Sequence, residues 1–328
     1  MSKIGITTTI PVEVIFAAGE TPVDLNNIFI THPDPGEMVR NAEEKGLPRT
    51  LCSWVKGIFS AIIANPDIDT IIAVTEGDCT NTLAMLDLFR SKGIEVIPFA
   101  YPYNMNRDTL NENIRKLEAY FGVSRKQTLE MKTKLDGIRE KALLIDRMTY
   151  EDNTISGLEN HISLISLSDF EGDPDGYEKK LDLLISKAKS REPFRHATRI
   201  GFCGVPTIFS DLYGFLENNK ARVVFNEMQR QFAMPYKTDN ILDQYLNYTY
   251  PYSFKRRIKD TKEESQKRQL TGLIHYVQSF CHHQIHDREL RESADIPVLT
   301  LEGDKPEKLK ERTRIRIESF LEMLSLGT

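Results

Sequence analysis

Two stretches of this 328-residue chain decide its fold: residues 69–79, DTIIAVTEGDC, and residues 271–281, TGLIHYVQSFC. Each is a short run rich in apolar and β-branched residues that ends in a cysteine. Helix-length segments follow both runs, and this alternation is typical of parallel βαβ units. The two cysteines, Cys79 and Cys281, stand 202 positions apart. The matching order predicts two related lobes, each built around a parallel sheet.

The same spacing extends to the next predicted strands, which begin at Ile94 and Ile296, again 202 positions apart. Between the lobes, residues 104–188 are polar and carry apolar residues at a helical period. Residues 241–267 are predicted to be mostly helical, and residues 281–292 to form a helix. The sequence therefore predicts an α/β fold of two Rossmann-like lobes, each a small parallel sheet flanked by helices, joined by a helical middle segment. The predicted domains are 1–103, 104–195 and 196–328.

Composition narrows the class of protein. The chain has 43 Lys and Arg against 48 Asp and Glu, which gives a net charge of −5, and 40% of its residues are hydrophobic. A net negative charge argues against a protein that coats nucleic acid or anionic lipid. The first residues are too polar for a signal peptide, and no apolar run approaches the roughly 20 residues that cross a bilayer. We expect a cytoplasmic protein with no nucleic-acid or membrane partner.

Four cysteines are scattered along the chain without a CxxC pair. Ligands of open parallel sheets bind beyond the carboxyl ends of the strands, where Cys79 and Cys281 are expected to lie. Cys52 begins the predicted helix before the first of these strands and is expected to reach the same cleft. Three thiolates suit a soft metal or an iron–sulfur cluster, although small buried cysteines without a ligand are also common. Cys203 has no counterpart in the repeat and is expected to be structural.

Other polar residues also fall at predicted strand ends. Thr9 follows the first strand, Glu76 and Asp78 flank a glycine beside the first cysteine, and Gln278 precedes the second. A carboxylate there can act as a base or hold a substrate hydroxyl, and it can equally cap the following helix. Thr9, Glu76 and Gln278 are therefore candidate catalytic residues.

A histidine-rich stretch follows the last cysteine. His282 and His286 are four residues apart, so on one helix they would face the same side beside Cys281. This arrangement is a possible zinc site, although the remaining ligands are not specified. His282 is alternatively a proton donor, a role that suits the usual pKa of histidine, and we count it among the candidate catalytic residues.

Taken together, several stretches resemble the 2-hydroxyacyl-CoA dehydratase and benzoyl-CoA reductase family, and the resemblance runs over nearly the whole chain. The combination is more specific than any one motif. The stretches are residues 11–19 (PVEVIFAAG), 52–57 (CSWVKG), 77–81 (GDCTN), 222–232 (RVVFNEMQRQF), 275–281 (HYVQSFC) and 296–304 (IPVLTLEGD).

The resemblance implies an oxygen-sensitive [4Fe-4S] cluster held by three cysteines, which carry over by position to Cys52, Cys79 and Cys281. It further implies a lyase of the 2-hydroxyacyl-CoA dehydratase type, acting through a ketyl radical. An ATP-hydrolysing iron–sulfur activator protein would supply the electron, and the absence of a GxxxxGK[ST] motif agrees with ATP being bound by a partner. The subunit is expected to form a homodimer, or a heterodimer with a related subunit, and to act on a small acyl-type substrate.

Two alternatives stay open. Family subunits usually carry an N-terminal helical extension that helps to build the substrate side, whereas this chain opens on the first strand, so a CoA thioester is not assured. Some relatives are stand-alone, ATP-dependent reductases of small molecules with a double-cubane cluster, although three matching cysteines argue against a full double cubane in one chain. The chain could also be an electron-relay or binding subunit without turnover of its own.

Overall fold

The structure is a computed structural model that describes residues 2–195, 198–278 and 281–326. The chain divides into two compact units. The first unit comprises Met1–Glu140, Ser166–Lys179 and Phe232–Ser253, and the second comprises Lys141–Ile165, Lys180–Gln231 and Phe254–Thr328. The three predicted domains follow other limits and stay a prediction, and the start of the third, at residue 196, lies outside the described residues.

Within the described ranges, the strands form one parallel four-stranded sheet in each unit. The first sheet contains β1 (Lys3–Ile6), β2 (Thr21–Asp24), β3 (Thr70–Glu76) and β4 (Glu95–Ala100), and the second contains β5 (Thr198–Gly204), β6 (Ala221–Asn226), β7 (Gly272–Val277) and β8 (Val298–Glu302). The orders are β2-β1-β3-β4 and β6-β5-β7-β8, so the two topologies are the same. The predicted pair of Rossmann-like lobes is confirmed.

Helices follow the strands in the alternation that the sequence predicts. In chain order they are α1 (Val12–Ala17), α2 (Leu25–Thr31), α3 (Pro35–Glu44), α4 (Ser53–Ala64), α5 (Thr80–Ser91), α6 (Arg107–Tyr120), α7 (Arg125–Tyr150), α8 (Gly157–Ile165), α9 (Pro174–Lys189), α10 (Leu212–Asn218), α11 (Glu227–Phe232), α12 (Ile241–Asn247), α13 (Phe254–Lys267), α14 (His286–Ser293) and α15 (Glu311–Leu326). None of these helices combines the length and the apolar character needed to cross a membrane.

Two predicted helices differ in detail from the observed ones. The mostly helical stretch over 241–267 is interrupted between α12 and α13, where Pro251 lacks the N–H that a continuous helix requires. The single helix predicted over 281–292 is wrong, because a 3-10 turn, His282–Ile285, precedes α14. His282 and His286 therefore do not lie on one α-helix, and their rings are 6.4 Å apart in an edge-to-face arrangement.

The centre of each sheet is buried on both faces. All six residues of β7 are buried, and so are the first five residues of β3. Parallel strands covered by helices on both sides read as continuous apolar runs, which is why DTIIAV and GLIHYV identify them. Each fully buried Val, Ile or Leu contributes about 1.5–3 kcal/mol relative to an exposed one.

The second unit also buries a network of charges. Arg268 is 1% exposed and donates to Asp146 of α7 at 2.9 Å, to Glu264 of α13 at 2.6 Å and to the Val224 carbonyl of β6 at 2.7 Å. Removing one partner of such a group typically costs about 3–5 kcal/mol, because the remaining charge stays buried without its partner. Arg268 therefore ties two helices to the sheet in one required arrangement.

A pair of helix glycines provides a test of the packing in the first unit. An added Cβ at Gly57 of α4 would overlap the Phe29 ring of α2, whereas a Cβ at Gly137 of α7 would meet no atom within 4 Å. We expect Gly57→Ala to lower the free energy of unfolding by about 1–3 kcal/mol through overpacking. Gly137→Ala is the matched control and is expected to raise it by about 0.5–1 kcal/mol through helix propensity. Urea denaturation measures both, and equal effects would contradict the close packing of α4 on α2.

Candidate functional site

A glycine turn forms the carboxyl end of β3 in the first unit. Gly77 has φ +96°, a conformation that favours glycine. An added Cβ would lie 2.8 Å from the Pro251 Cβ and 2.9 Å from the Tyr101 Cβ. The turn therefore requires glycine for both its conformation and its space. It leads the chain from the strand to Asp78 and Cys79, which precede α5.

The three candidate ligand cysteines share one local position. Cys52 and Cys79, in the first unit, are the N-cap residues of α4 and α5, and Cys281, in the second unit, is the N-cap of the 3-10 turn His282–Ile285. Their ψ angles are 138°, 131° and 131°, and all three residues are half-buried. Cys203 differs, since it lies within β5 and is 3% exposed, in line with the structural role expected for it.

The protein environment keeps the Cys79 thiol protonated at neutral pH. Burial raises its pKa, and the neighbouring Asp78 carboxylate adds to the rise. These effects outweigh the helix N-terminus, which by itself favours a thiolate. Burial also raises the pKa of the Cys203 thiol, to well above its usual value. A metal that binds Cys79 as a thiolate therefore has to displace this proton.

Tyr101 joins two of the candidate catalytic residues of the first unit. Its hydroxyl donates to the Thr9 carbonyl at 2.9 Å, and its main-chain N–H donates to the Glu76 carbonyl at 2.9 Å. The Glu76 side chain is exposed and accepts the Tyr103 N–H at 2.7 Å, so this carboxylate organises the loop after β4. The Thr9 hydroxyl is buried and has no hydrogen-bond partner among the described residues. Thr9 therefore carries unused hydrogen-bonding capacity.

A pair of buried carboxyl groups lies in the same unit. Asp24, the last residue of β2, is 5% exposed, and its N–H donates to Asp169 Oδ2 at 2.8 Å. Burial and the neighbouring Asp24 raise the pKa of Asp169 to about 7, and burial raises the pKa of Asp24. Asp24 stands at a strand end, which is a signal visible in the sequence, whereas Asp169 precedes a short 3-10 turn, Phe170–Gly172, and carries no such signal.

Asp78 is a third carboxyl group with an altered pKa. It accepts a hydrogen bond from the Tyr250 hydroxyl at 3.2 Å, and burial raises its pKa to about 6. Its electrostatic partners include Asp24, which also favours the protonated form. Carboxyl groups that titrate near neutral pH are able to take up and release protons, and such groups are frequent at functional sites.

In the second unit, a main-chain hydrogen bond links Cys281 to Gln278. The Gln278 carbonyl accepts the Cys281 N–H at 3.0 Å and the Gln284 side-chain amide at 2.8 Å. Gln278 is 1% exposed, and residues 279 and 280 between the two lie outside the described residues. The structure therefore brings one candidate catalytic residue and one candidate ligand together.

A histidine cluster surrounds the start of α14. His283 is buried, and its Nδ1 lies 3.3 Å from both Arg257 Nη1 and His286 Nδ1. Burial lowers the pKa of His282 and of His286, the latter to about 4, and Arg257 contributes to both shifts. Both shifts favour the neutral imidazole. Sequence reasoning missed Arg257, which lies in a charged helix with no marker of a site.

No preformed metal site is present in the part of the chain that the structure describes: no group of three or more His, Cys, Asp or Glu side chains is placed to hold a metal ion. The zinc alternative built on Cys281, His282 and His286 receives no support from this arrangement. The cysteine thiols remain the side chains whose chemistry suits a soft metal or an iron–sulfur cluster.

A family model described as 2-hydroxyglutaryl-CoA dehydratase, D-component, matches residues 7–324. The matched range includes all four cysteines, the Gly77 turn and the 3-10 turn His282–Ile285. No curated protein matches the chain. The family resemblance inferred from the sequence motifs is therefore confirmed.

The buried carboxyl pair predicts an unusual dependence of stability on pH. Because the pKa of Asp169 is raised to about 7 from 3.8, the folded protein binds a proton that the unfolded chain releases between about pH 4 and pH 7. Stability from this group therefore falls as the pH rises through that window. We expect Asp169→Asn to flatten the dependence and to stabilise the protein at pH 8 by ~1 kcal/mol or more.

Thermal and urea denaturation at pH 4, 6 and 8 measure this effect. Asp67→Asn is the control, since Asp67 is exposed and its pKa is lowered by a hydrogen bond from Lys3. That variant is expected to change little at pH 8, because solvent screens exposed ion pairs and leaves them with a small contribution to stability. The contrary result is a wild-type stability that rises steadily from pH 4 to pH 7, together with no gain in Asp169→Asn at pH 8. It would show that folding does not raise the pKa of Asp169.

Proposed function

The chain belongs to the 2-hydroxyglutaryl-CoA dehydratase D-component family, and from that membership we propose that it is an iron–sulfur subunit of a 2-hydroxyacyl-CoA dehydratase. Membership makes it a component of a lyase-type enzyme. The finer proposal is one-electron, radical dehydration of a small acyl-type substrate. An ATP-hydrolysing iron–sulfur activator would prime the reaction, and the subunit would work in the cytoplasm as a homodimer or beside a related subunit.

The observation that carries the proposal is the shared setting of three thiols. Cys52, Cys79 and Cys281 each occupy an N-cap position, are half-buried and have nearly the same backbone conformation. We propose that they hold a [4Fe-4S] cluster, which when bound supplies one-electron chemistry and an open iron that acts as a Lewis acid. Because burial raises the pKa of the Cys79 thiol, binding of a cluster there would displace a proton.

The remaining candidate residues supply hydrogen bonds and protons. The Thr9 hydroxyl, buried and unused within the described structure, is proposed to bind a substrate oxygen. Gln278, hydrogen-bonded to Cys281, is proposed to offer its side-chain amide to the substrate. Glu76 and His282 are exposed at the two sheet ends and are proposed to exchange protons with solvent.

Iron and acid-labile sulfide quantitation of anaerobically purified protein tests the cofactor. We expect about four irons per chain, with the broad visible absorption of an iron–sulfur cluster. Cys52→Ala, Cys79→Ala and Cys281→Ala are each expected to lose most of the iron. Cys203→Ala is the matched control and should keep it, because Cys203 is buried inside β5. Wild-type protein without iron, or equal losses in all four variants, would contradict the proposal.

Turnover of 2-hydroxyglutaryl-CoA with a dehydratase activator, ATP and a reductant tests the role of Thr9. Thr9→Val removes the hydroxyl at nearly constant volume, and we expect turnover to fall by about tenfold to a hundredfold with stability unchanged or improved. Thr9→Ser should restore activity. Thr7→Val is the control for stability, since Thr7 Oγ1 accepts the Val74 N–H at 3.2 Å and its loss should cost about 1–3 kcal/mol.

Two results of this assay would contradict parts of the proposal. A cluster that is reduced by the activator without any turnover would identify the chain as a relay or binding subunit. Full activity in Thr9→Val would show that the buried hydroxyl does not contact the substrate.

A further inference from the structure

A buried ion pair joins α11 to α13 in the second unit. Arg257 donates to both carboxylate oxygens of Glu227 at 2.7 Å, and each side chain is 3% exposed. The same carboxylate accepts the Gly204 N–H, at the end of β5, at 3.2 Å. A bidentate pair of this kind fixes the plane and the position of the guanidinium. Arg257 is therefore anchored to the carboxyl end of the second sheet.

A third nitrogen of this guanidinium, Nη1, reaches the turn that follows Cys281. Arg257 Nη1 lies 3.3 Å from His283 Nδ1. Because arginine has donors and no acceptor, His283 Nδ1 accepts this bond and a neutral ring carries its proton on Nε2. His283 lies two residues beyond Cys281, inside the 3-10 turn His282–Ile285.

A second contact from α13 holds the other end of the turn. The Phe254 ring stacks on the His286 ring with centroids 4.0 Å apart and planes at 8°, and the Arg257 guanidinium lies over the Phe254 ring, 5.2 Å from its centroid. His286 Nδ1 in turn lies 3.3 Å from His283 Nδ1. Phe254 and Arg257, on one turn of α13, thus contact His286 and His283, the two histidines at the end of the 3-10 turn.

We propose that Arg257 is a positioning residue that fixes the Cys281 turn through His283, while Glu227 fixes Arg257. The proposal rests on the proposed role of Cys281 as a cluster ligand. A cysteine at an N-cap points in a defined direction only while the following turn keeps its conformation. The turn itself is short and has 3-10 geometry, whose hydrogen bonds are weaker than those of an α-helix. The contacts from α13 supply the order that the turn lacks.

Hydrogen–deuterium exchange of the protein without iron tests this clamp. Two amides report on the turn: the Cys281 N–H, bonded to Gln278, and the Gln284 N–H, bonded to Cys281. We expect Arg257→Gln to accelerate their exchange by about tenfold or more, since a charge-assisted hydrogen bond is lost. Arg230→Gln is the matched control. Arg230 of α11 pairs with Asp260 of α13, so this variant also breaks a buried ion pair between the same two helices.

A second variant removes the contact without leaving a buried charge unpaired. His283→Leu keeps the Glu227–Arg257 pair, and we expect the same local acceleration. His283→Asn places an amide oxygen near the position of Nδ1 and should bring the exchange back to within about threefold of the wild-type rate. In the double variant Arg257→Gln with His283→Leu, the effect should not exceed that of the larger single variant.

Iron loading and the electron paramagnetic resonance of the reduced protein complete the test. Arg257→Gln and His283→Leu should bind less iron or give altered g values, whereas Arg230→Gln and His283→Asn should match the wild type. Exchange at Cys281 and Gln284 that is equal in Arg257→Gln and Arg230→Gln would overturn the positioning role. Wild-type protein without iron would instead overturn the proposed function, and the exchange comparison would still decide whether Arg257 orders the turn.

Discussion

The close approach of the first and third strands in each sheet is the constraint on which the rest of the architecture depends. Gly5 pairs with Ile71, and Gly201 pairs with Leu273, at equivalent places in the two sheets. An added Cβ would lie 2.9 Å from Ile71 Cγ2 and 2.5 Å from Leu273 Cδ2. Each glycine therefore makes room for a large aliphatic side chain of the central strand. This register fixes where the central strand ends, and hence where the cysteine-bearing turn begins.

This constraint explains why the sheets were predictable from the sequence and some helices were not. The repeat between residues 69–79 and 271–281 records the same strand, neighbours and turn twice, so each copy supports the other. Helices α2 and α3 belong to no repeated run and were not predicted. For α3 a local signal existed: the Asp34 side chain accepts the Glu37 N–H at 3.0 Å, and proline occupies the first helical turn.

The candidate site was likewise predictable from the sequence only in part. Its cysteines and Thr9, Glu76 and Gln278 stand next to strand or helix ends, and the sequence places those ends well. Its electrostatics depend on pairs that are distant in the chain, such as Asp24 with Asp169, which are 145 residues apart. Arg257 and His283 are separated by 26 residues and by a strand. Neither pair leaves a periodic or local pattern, because side-chain contacts between elements depend on packing rather than on spacing.

At the ends of both sheets, burial shifts the pKa values of several side chains so that their neutral forms are favoured. In the first unit, burial raises the pKa of Asp24, Asp169 and Cys79, so their neutral forms are favoured. In the second unit, burial lowers the pKa of the histidines around Cys281, which also favours neutral rings, and Arg257 is matched by Glu227. Both ends thus favour uncharged groups at neutral pH. A cationic cofactor bound by thiolates would displace the thiol protons, so its charge would be balanced mainly by its own ligands, with the Asp78 carboxylate beside Cys79 adding to that balance.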